Sequence, residues 1–365
     1  MNGTHNNSGW RSGFKNQLAR AAAALPVGAW HSLCGRPLIL PYYHLISDEP
    51  VPHVRPLYRY KNISQFKQDL DFFLTHFHPI TLDDLLQSLG RGRPLPQRSF
   101  LLSFDDGFRE MAEIVAPILK VKGVSATFFL NSAFVDNREL GFHQKIALLI
   151  GQLAAGRATV WEEKLKGLFR AKRIMGNETA AMLKSVRYAN RAILDEAAAL
   201  GDLDFDLFLK QQKPYLTSEQ IRGLLQDGFT IGGHSVDHPF YGDLTLDEQL
   251  QQTRKSMRYL AEQFGVSSKA FAFPHSDTGV SQTFFKRSYG EGTLEISFGT
   301  AGLLRDSWPG HFQRFSMEKN SGNLRQTIAW QLARRRRHGE IHRVAASNLT
   351  TVNSSLGNQH PRNAA

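Results

Sequence analysis

A chain of 365 residues with 41% hydrophobic content can bury a full core, as one large domain or two small ones. Its one cysteine excludes an intramolecular disulfide, and no apolar run reaches the ~20 residues that cross a bilayer. The net charge of +11 sits at the ends: residues 1–37 carry four basic and no acidic residues, residues 319–365 eight basic and one acidic, and the segment between balances at 32 of each. The central region is therefore not a basic nucleic-acid binder.

In chain order, residues 1–36 read as a basic N-terminal extension. Arg11, Lys15 and Arg20 precede the stretch Ala21–Trp30 in the manner of a signal peptide, but its apolar part is short, rich in alanine and broken by Pro26. A terminal helix is the expectation, with a cytoplasmic protein at the inner face of the membrane; export to the cell envelope is the alternative. Pro37–His44 reads as a first strand. Ile63–Leu74 has apolar residues at helical spacing, with Ser64 as the expected cap, and Thr81-Leu-Asp83-Asp84 looks like a capped helix start. A strand over 99–104, a helix over 108–121 and a strand over 124–130 follow. Residues 137–213, rich in Ala, Leu, Lys, Glu and Arg, predict two to four inserted helices, either as outer wall or as a lid or acceptor-binding subdomain.

Beyond the insert, helix 218–226, strand 229–232, helix 246–264, strand 270–273 and strand 294–298 are expected. Thr217 with Gln220 and Thr245 with Glu248 fit capping boxes. This alternation predicts an α/β fold with a mostly parallel sheet, and spacing alone does not separate a barrel from a doubly wound sheet. A basic helix over 319–344 ends in Arg334–Arg337, and a Ser/Asn/Thr-rich disordered tail is expected over 345–365. Cations at a helix C-terminus are favoured electrostatically, so a solvated terminus is the default reading of that run. Contact with anionic lipid headgroups is the functional alternative.

Two short motifs carry chemistry. Asp105-Asp106-Gly107 closes the apolar run Ser99–Phe104, where α/β folds place their sites. His234-Ser-Val-Asp-His238 follows the strand-like Gly228–Gly233. Each has a decoy, Asp83-Asp84 and His338/His342, but only the first pair sits at two strand ends. Two histidines and a carboxylate can hold a zinc-like ion and leave a position for water. Asp106, His234 and His238 are the expected ligands, and Asp105 remains free as the base. The donors suit Zn²⁺ first, with Co²⁺ and Ni²⁺ also compatible.

These residues resemble the polysaccharide deacetylases of the NodB-homology type, carbohydrate esterase family 4. The family's first motif, Thr/Ser-Phe-Asp-Asp-Gly, matches Ser103–Gly107, and its second, His-Ser/Thr-x-x-His, matches His234–His238 in full. The third, Arg-x-Pro-Tyr, is half present in Phe271–His275, where Ala272 replaces the arginine and His275 the tyrosine. The resemblance covers about residues 37–318 apart from the insert. It implies a distorted (β/α) barrel of about seven strands, and metal-dependent removal of an acetyl or other acyl group from an amino sugar. The substrate would be a bacterial glycan or a lipid-linked saccharide. It also implies that the backbone N–H of His275 stabilises the oxyanion. The family's arginine pairs with the catalytic aspartate, and nothing at Ala272 can do so. The late Leu-x-His motif that protonates the leaving amine has no clear copy, which leaves His44, His275 and His342 as candidate acids. Two alternatives stay open: a catalytically silent relative that binds and assembles, and an amidohydrolase of a small non-sugar amide.

Overall fold

Eight short strands form one sheet in the computed structural model, which describes residues 38–154, 159–318, 324–338 and 340–341. They are β1 (Pro41–Tyr43), β2 (Leu102–Phe104), β3 (Ala126–Leu130), β4 (Thr230–Gly233), β5 (Ala270–Ala272), β6 (Ile296–Gly299), β7 (His311–Gln313) and β8 (Phe315–Ser316). Their spatial order is β7-β6-β5-β4-β3-β2-β1-β8, and every pairing is parallel. β7 and β8 stand at opposite ends of that order yet are separated in sequence by Arg314 alone. The segment His311–Ser316 is thus a seam: β7 pairs with β6 (His311↔Ser297) and β8 with β1 (Pro41↔Phe315). It all but closes the sheet into the expected distorted (β/α) barrel, and counting the seam as one strand gives seven. The expected N-terminal helix, the C-terminal tail and His342 lie outside the described residues.

Side chains alternate across the strands with period two. Leu40, Leu101, Phe129, Ala270, Ala272, Ile296 and Phe298 form the inner cluster. Leu102, Phe104, Phe128 and Ile231 face outward onto Phe66, Leu70, Phe73, Leu119, Ile221 and Leu260 of the surrounding helices. Burial on both faces explains why the strands read as continuous apolar runs. Gly232 is required by this packing, since a Cβ there would lie 2.6 Å from the Phe129 ring and 2.9 Å from the Ala270 carbonyl oxygen.

Capping chemistry sets the helix boundaries. Ser218–Gln226 and Leu246–Phe264 start at the two predicted capping boxes, and Thr81 caps Leu82–Arg91 with Asp84 returning the bond, which makes that Asp-Asp pair structural. Helix Ile63–His76 is capped by Asn62 rather than Ser64: the Asn62 side-chain oxygen accepts from Gln65 N at 2.8 Å, and Gln65 closes the box. The insert holds five α-helices among the described residues, Phe142–Ala154, Thr159–Ala171, Thr179–Ser185, Ile193–Ala199 and Phe205–Gln212, more than the two to four expected. Polar breaks such as Gly176-Asn-Glu178 and Gly201-Asp202 divide its helical pattern. Its core of Leu149, Leu165, Phe169, Leu183 and Leu194 runs on into Phe108, Phe134 and Tyr215, which belong to the loops after β2 and β3 and to the end of the insert. The insert is thereby fixed over the carboxyl ends of the strands. No helix among the described residues is long and apolar enough to cross a membrane.

Candidate active site and metal centre

The carboxyl ends of six strands converge on a cleft of about 540 Å³, bordered by Tyr42, His44, Tyr58, Asp105, Asp106, His143, Gln144, His234, His238, His275 and Glu318 among others. All six residues expected from the sequence to hold metal or act on protons, apart from His342, border it. The backbone there is strained. Asp106 (φ 76), Ser235 (φ 71), His238 (φ 65) and His275 (φ 58) are non-glycine residues in the left-handed region, at a cost on the order of 1–3 kcal/mol each. Gly107 shares that region (φ 71) without the penalty.

The surroundings hold the strained turn in place. Asn131 donates to the His234 carbonyl and, at 3.3 Å, to Ser235 Oγ, which in turn accepts from His238 N at 3.0 Å. Gln252 accepts from Val236 N (2.8 Å) and donates to Asp237 (2.7 Å), whose other oxygen accepts from Tyr188 OH of the insert.

The expected donors have the chemistry to fit an ion. His234 Nδ1–H donates to the Ala272 carbonyl at 2.7 Å, which leaves the lone pair on Nε2. That nitrogen lies 3.4 Å from Asp106 Oδ1, and His238 Nε2 lies 3.1 Å from the same oxygen. Asp106 Oδ1 is buried and has no hydrogen-bond partner. Acceptors aimed at one another in a buried site call for a cation between them.

Asp105 is buried, and Arg314 of the seam grips it with two bonds of 2.7 Å, one to each carboxylate oxygen. Arg314 is itself 1% exposed, donates to Ser103 Oγ at 3.0 Å, and lies against the rings of Tyr42, Phe129 and Phe298. Burial alone would raise the Asp105 carboxyl, but the Arg314 guanidinium, aided by His234 and His44, outweighs it and holds the carboxyl below its ordinary value. Here is the answer to the missing third-motif arginine. Ala272 faces the barrel interior from β5, and the counter-charge arrives from β7–β8, two strands along the sheet. The sequence offered one trace of it, a lone arginine between the aromatic residues of Phe312-Gln-Arg-Phe315.

His44 also has a partner that sequence reasoning missed. The Glu318 carboxylate accepts from the backbone N–H of His44 (2.8 Å) and Leu45 (3.0 Å) and pairs with His44 Nδ1. Burial opposes charge on the imidazole, yet Glu318 overrides it and lifts the His44 pKa to about 9, so the ring is protonated at neutral pH. His275 is exposed to the cleft, and its carbonyl accepts from Thr300 Oγ1 at 2.9 Å. His143 and Gln144 reach the cleft from the first insert helix, and Tyr58 brings a buried hydroxyl with no hydrogen-bond partner.

Comparison with known proteins bears on the family and the fold. A family model described as polysaccharide deacetylase matches residues 92–287. Comparison with curated proteins returns no match. Among solved structures, the chain is similar in fold to the deacetylase PplD of Streptococcus pyogenes in complex with acetate, at 14% identity and a TM-score of 0.51, over 81% of this chain and 97% of that one. IcaB from Ammonifex degensii gives 15% identity and a TM-score of 0.51, over 82% and 98% of the two chains. A de-N-acetylase from Aggregatibacter actinomycetemcomitans gives 12% and 0.51, over 80% and 99%.

Proposed function

The chain belongs to the polysaccharide deacetylase family, and on that premise we propose that it is a metal-dependent hydrolase removing an N-acetyl or other acyl group from an amino sugar of a bacterial glycan or lipid-linked saccharide. The single observation that carries the reading is the convergence of Asp106 Oδ1, His234 Nε2 and His238 Nε2 beside the Arg314-paired Asp105. A divalent ion, Zn²⁺ first, with Co²⁺ or Ni²⁺ able to replace it, would be held by Asp106, His234 and His238 and would acidify water and polarise the acyl carbonyl. Asp105 takes the proton from the attacking water. The backbone N–H of His275 meets the developing oxyanion. His44, charged at neutral pH, gives its proton to the departing amine, and Glu318 keeps the ring oriented. Collapse leaves a free amine and a carboxylate.

Arg314 and the His44–Glu318 pair supply the two roles whose apparent loss favoured a silent relative. The cleft has the size of sites that bury a drug-sized ligand, more than a small amide needs. Tyr58 OH, buried and without a partner, offers a bond to a sugar hydroxyl. We further propose a cytoplasmic location at the inner membrane face, with the Arg334–Arg337 run meeting anionic headgroups. The test of function is acetate release from N-acetylhexosamine oligomers and lipid-linked acetamido sugars, with metal content measured on the same sample. Metal-loaded protein that releases no acyl group from any of them would return the silent reading.

A further inference from the structure

We propose that Gln313 of the seam and Thr300 are positioning residues, which through the turn Phe273–Asp277 hold the His275 backbone where its N–H meets the oxyanion. The proposal rests on the deacetylase reading above and concerns residues that lie outside all the motifs.

His275 is a non-glycine residue in the left-handed region (φ 58), so its backbone has to be held there from outside. The holds come from the end of β6 and from the seam. At the start of the turn the Phe273 N–H donates to the Phe298 carbonyl at 2.9 Å. In its middle Thr300 Oγ1 donates to the His275 carbonyl at 2.9 Å. At its end Asp277 Oδ2 accepts from Gln313 Nε2 at 2.8 Å and lies 3.1 Å from His311 Nε2. Gln313 Oε1 accepts from the Ala301 N–H at 2.8 Å, so one buried amide ties Asp277 to the segment that carries Thr300.

Asp277, Asp306 and His311 have donor atoms within 4.8 Å of one another, as an ion site would. Gln313 argues against an ion there. Its Nε2 lies 2.8 Å from Asp277 Oδ2 and 3.1 Å from both Asp306 Oδ2 and His311 Nε2, and the Ala301 bond fixes which way the amide points. The amide, and not a cation, joins the three groups. His311 Nδ1 is braced in turn by Ser297 Oγ at 2.7 Å, and Tyr289 OH bonds the same hydroxyl at 2.8 Å. Gly299 leaves the space, since a Cβ there would lie 2.4 Å from both Asp277 Oδ1 and Gln313 Oε1. A buried polar network whose members find partners is rigid, and rigidity is what a donor aimed at transition-state charge requires. The seam that pairs Asp105 thus also steadies the oxyanion side of the cleft.

The test separates transition-state binding from folding and from metal binding. Thr300→Val removes the hydroxyl at a half-buried position, and Thr300→Ser keeps it. Gln313→Leu and Asp277→Ala cut the buried link from its two ends, so either one decides if the other does not fold. Each full-length protein is assayed for acetate release from N-acetylhexosamine oligomers and lipid-linked acetamido sugars. Affinity for a phosphonamidate analogue of the acetamido group, Zn²⁺ content and melting temperature are measured on the same samples. We expect kcat per zinc-loaded chain to fall about ten- to a hundredfold in Thr300→Val and in the cut link, with KM within about twofold and Zn²⁺ content unchanged. Affinity for the tetrahedral analogue falls by the same factor, and Thr300→Ser recovers most of the rate lost in Thr300→Val. A lower melting temperature with kcat and analogue affinity unchanged marks a merely structural network and overturns the proposal, as does a loss of kcat that follows loss of Zn²⁺. A zinc-loaded wild type that releases no acetate and ignores the analogue fails differently, because it removes the deacetylase reading and this proposal with it.

Discussion

Replacing Arg314 by methionine keeps most of the side chain's bulk among Tyr42, Phe129 and Phe298 but leaves Asp105 buried with no guanidinium. Two unit charges about 4 Å apart attract by about 4 kcal/mol at an effective dielectric of 20. That agrees with the ~3–5 kcal/mol lost when one partner of a buried pair is removed. Set against a total stability of roughly 5–15 kcal/mol, the loss is large and appears as a lower denaturant midpoint at pH 7. The sign of its pH dependence follows from the carboxyl. In the wild type Asp105 titrates below its ordinary value of 3.8, so its pairing stabilises the fold above that pH and is lost as the pH falls through the lower, folded value. In Arg314→Met burial acts largely unopposed and raises the carboxyl, so the deficit shrinks on acidification. Turnover at neutral pH falls as the base takes up a proton. The double variant Arg314→Met/Asp105→Asn recovers most of the lost stability, because a neutral amide needs no counter-charge. A single variant that unfolds at the wild-type midpoint, with a double variant no more stable than it, would refute this account of the pair.

Other substitutions separate the remaining roles. Asp105→Asn retains bound metal in elemental analysis yet loses turnover by a factor on the order of 10²–10⁴, whereas Asp106→Ala and His234→Ala lose metal and turnover together. The rate falls above about pH 9 as His44 gives up its proton, and Glu318→Gln moves that limb to lower pH in a kcat/KM profile. The same pairing stabilises the fold fully below the ordinary histidine value of 6.5 and is lost as the pH rises through about 9, which denaturation at pH 6 and pH 10 measures. Chelation abolishes acyl release, and added Zn²⁺ restores it. Gly232→Ala drives a Cβ to 2.6 Å from Phe129 and lowers stability by about 1–3 kcal/mol, read by chemical denaturation.

Local chemistry was legible in the sequence wherever its determinants were local. Thr217/Gln220 and Thr245/Glu248 marked helix starts to the residue. The two motifs at strand ends led to one cleft, because parallel α/β architecture brings the carboxyl ends of its strands together. Asn62 was overlooked because Ser64 is an equally good cap by type, and the choice depends on where the chain turns. The seam was missed for a different reason. His311 and Gln313 point outward to polar partners and Arg314 inward to Asp105, so no apolar alternation marks a strand. Its partners lie far away in sequence, as in the bond from His44 to Glu318 274 residues later. A motif search reads neighbours along the chain and misses a counter-charge supplied across a barrel.

The seam also divides the chemistry between two parts of the chain. The three donors proposed for the ion, Asp106, His234 and His238, take their orientation from Ala272, Asn131 and Ser235. The two groups proposed to handle protons depend instead on residues 314 and 318, Asp105 through Arg314 and His44 through Glu318. Ion capture and proton transfer are therefore separable by mutation. On the proposed reading, two substitutions in a five-residue stretch would leave a metal-loaded protein without turnover, with the second motif and every first-motif residue untouched. In this chain, then, the first two motifs alone do not decide between a working enzyme and a retired one; the residues at the barrel's closure do so on the proposed reading.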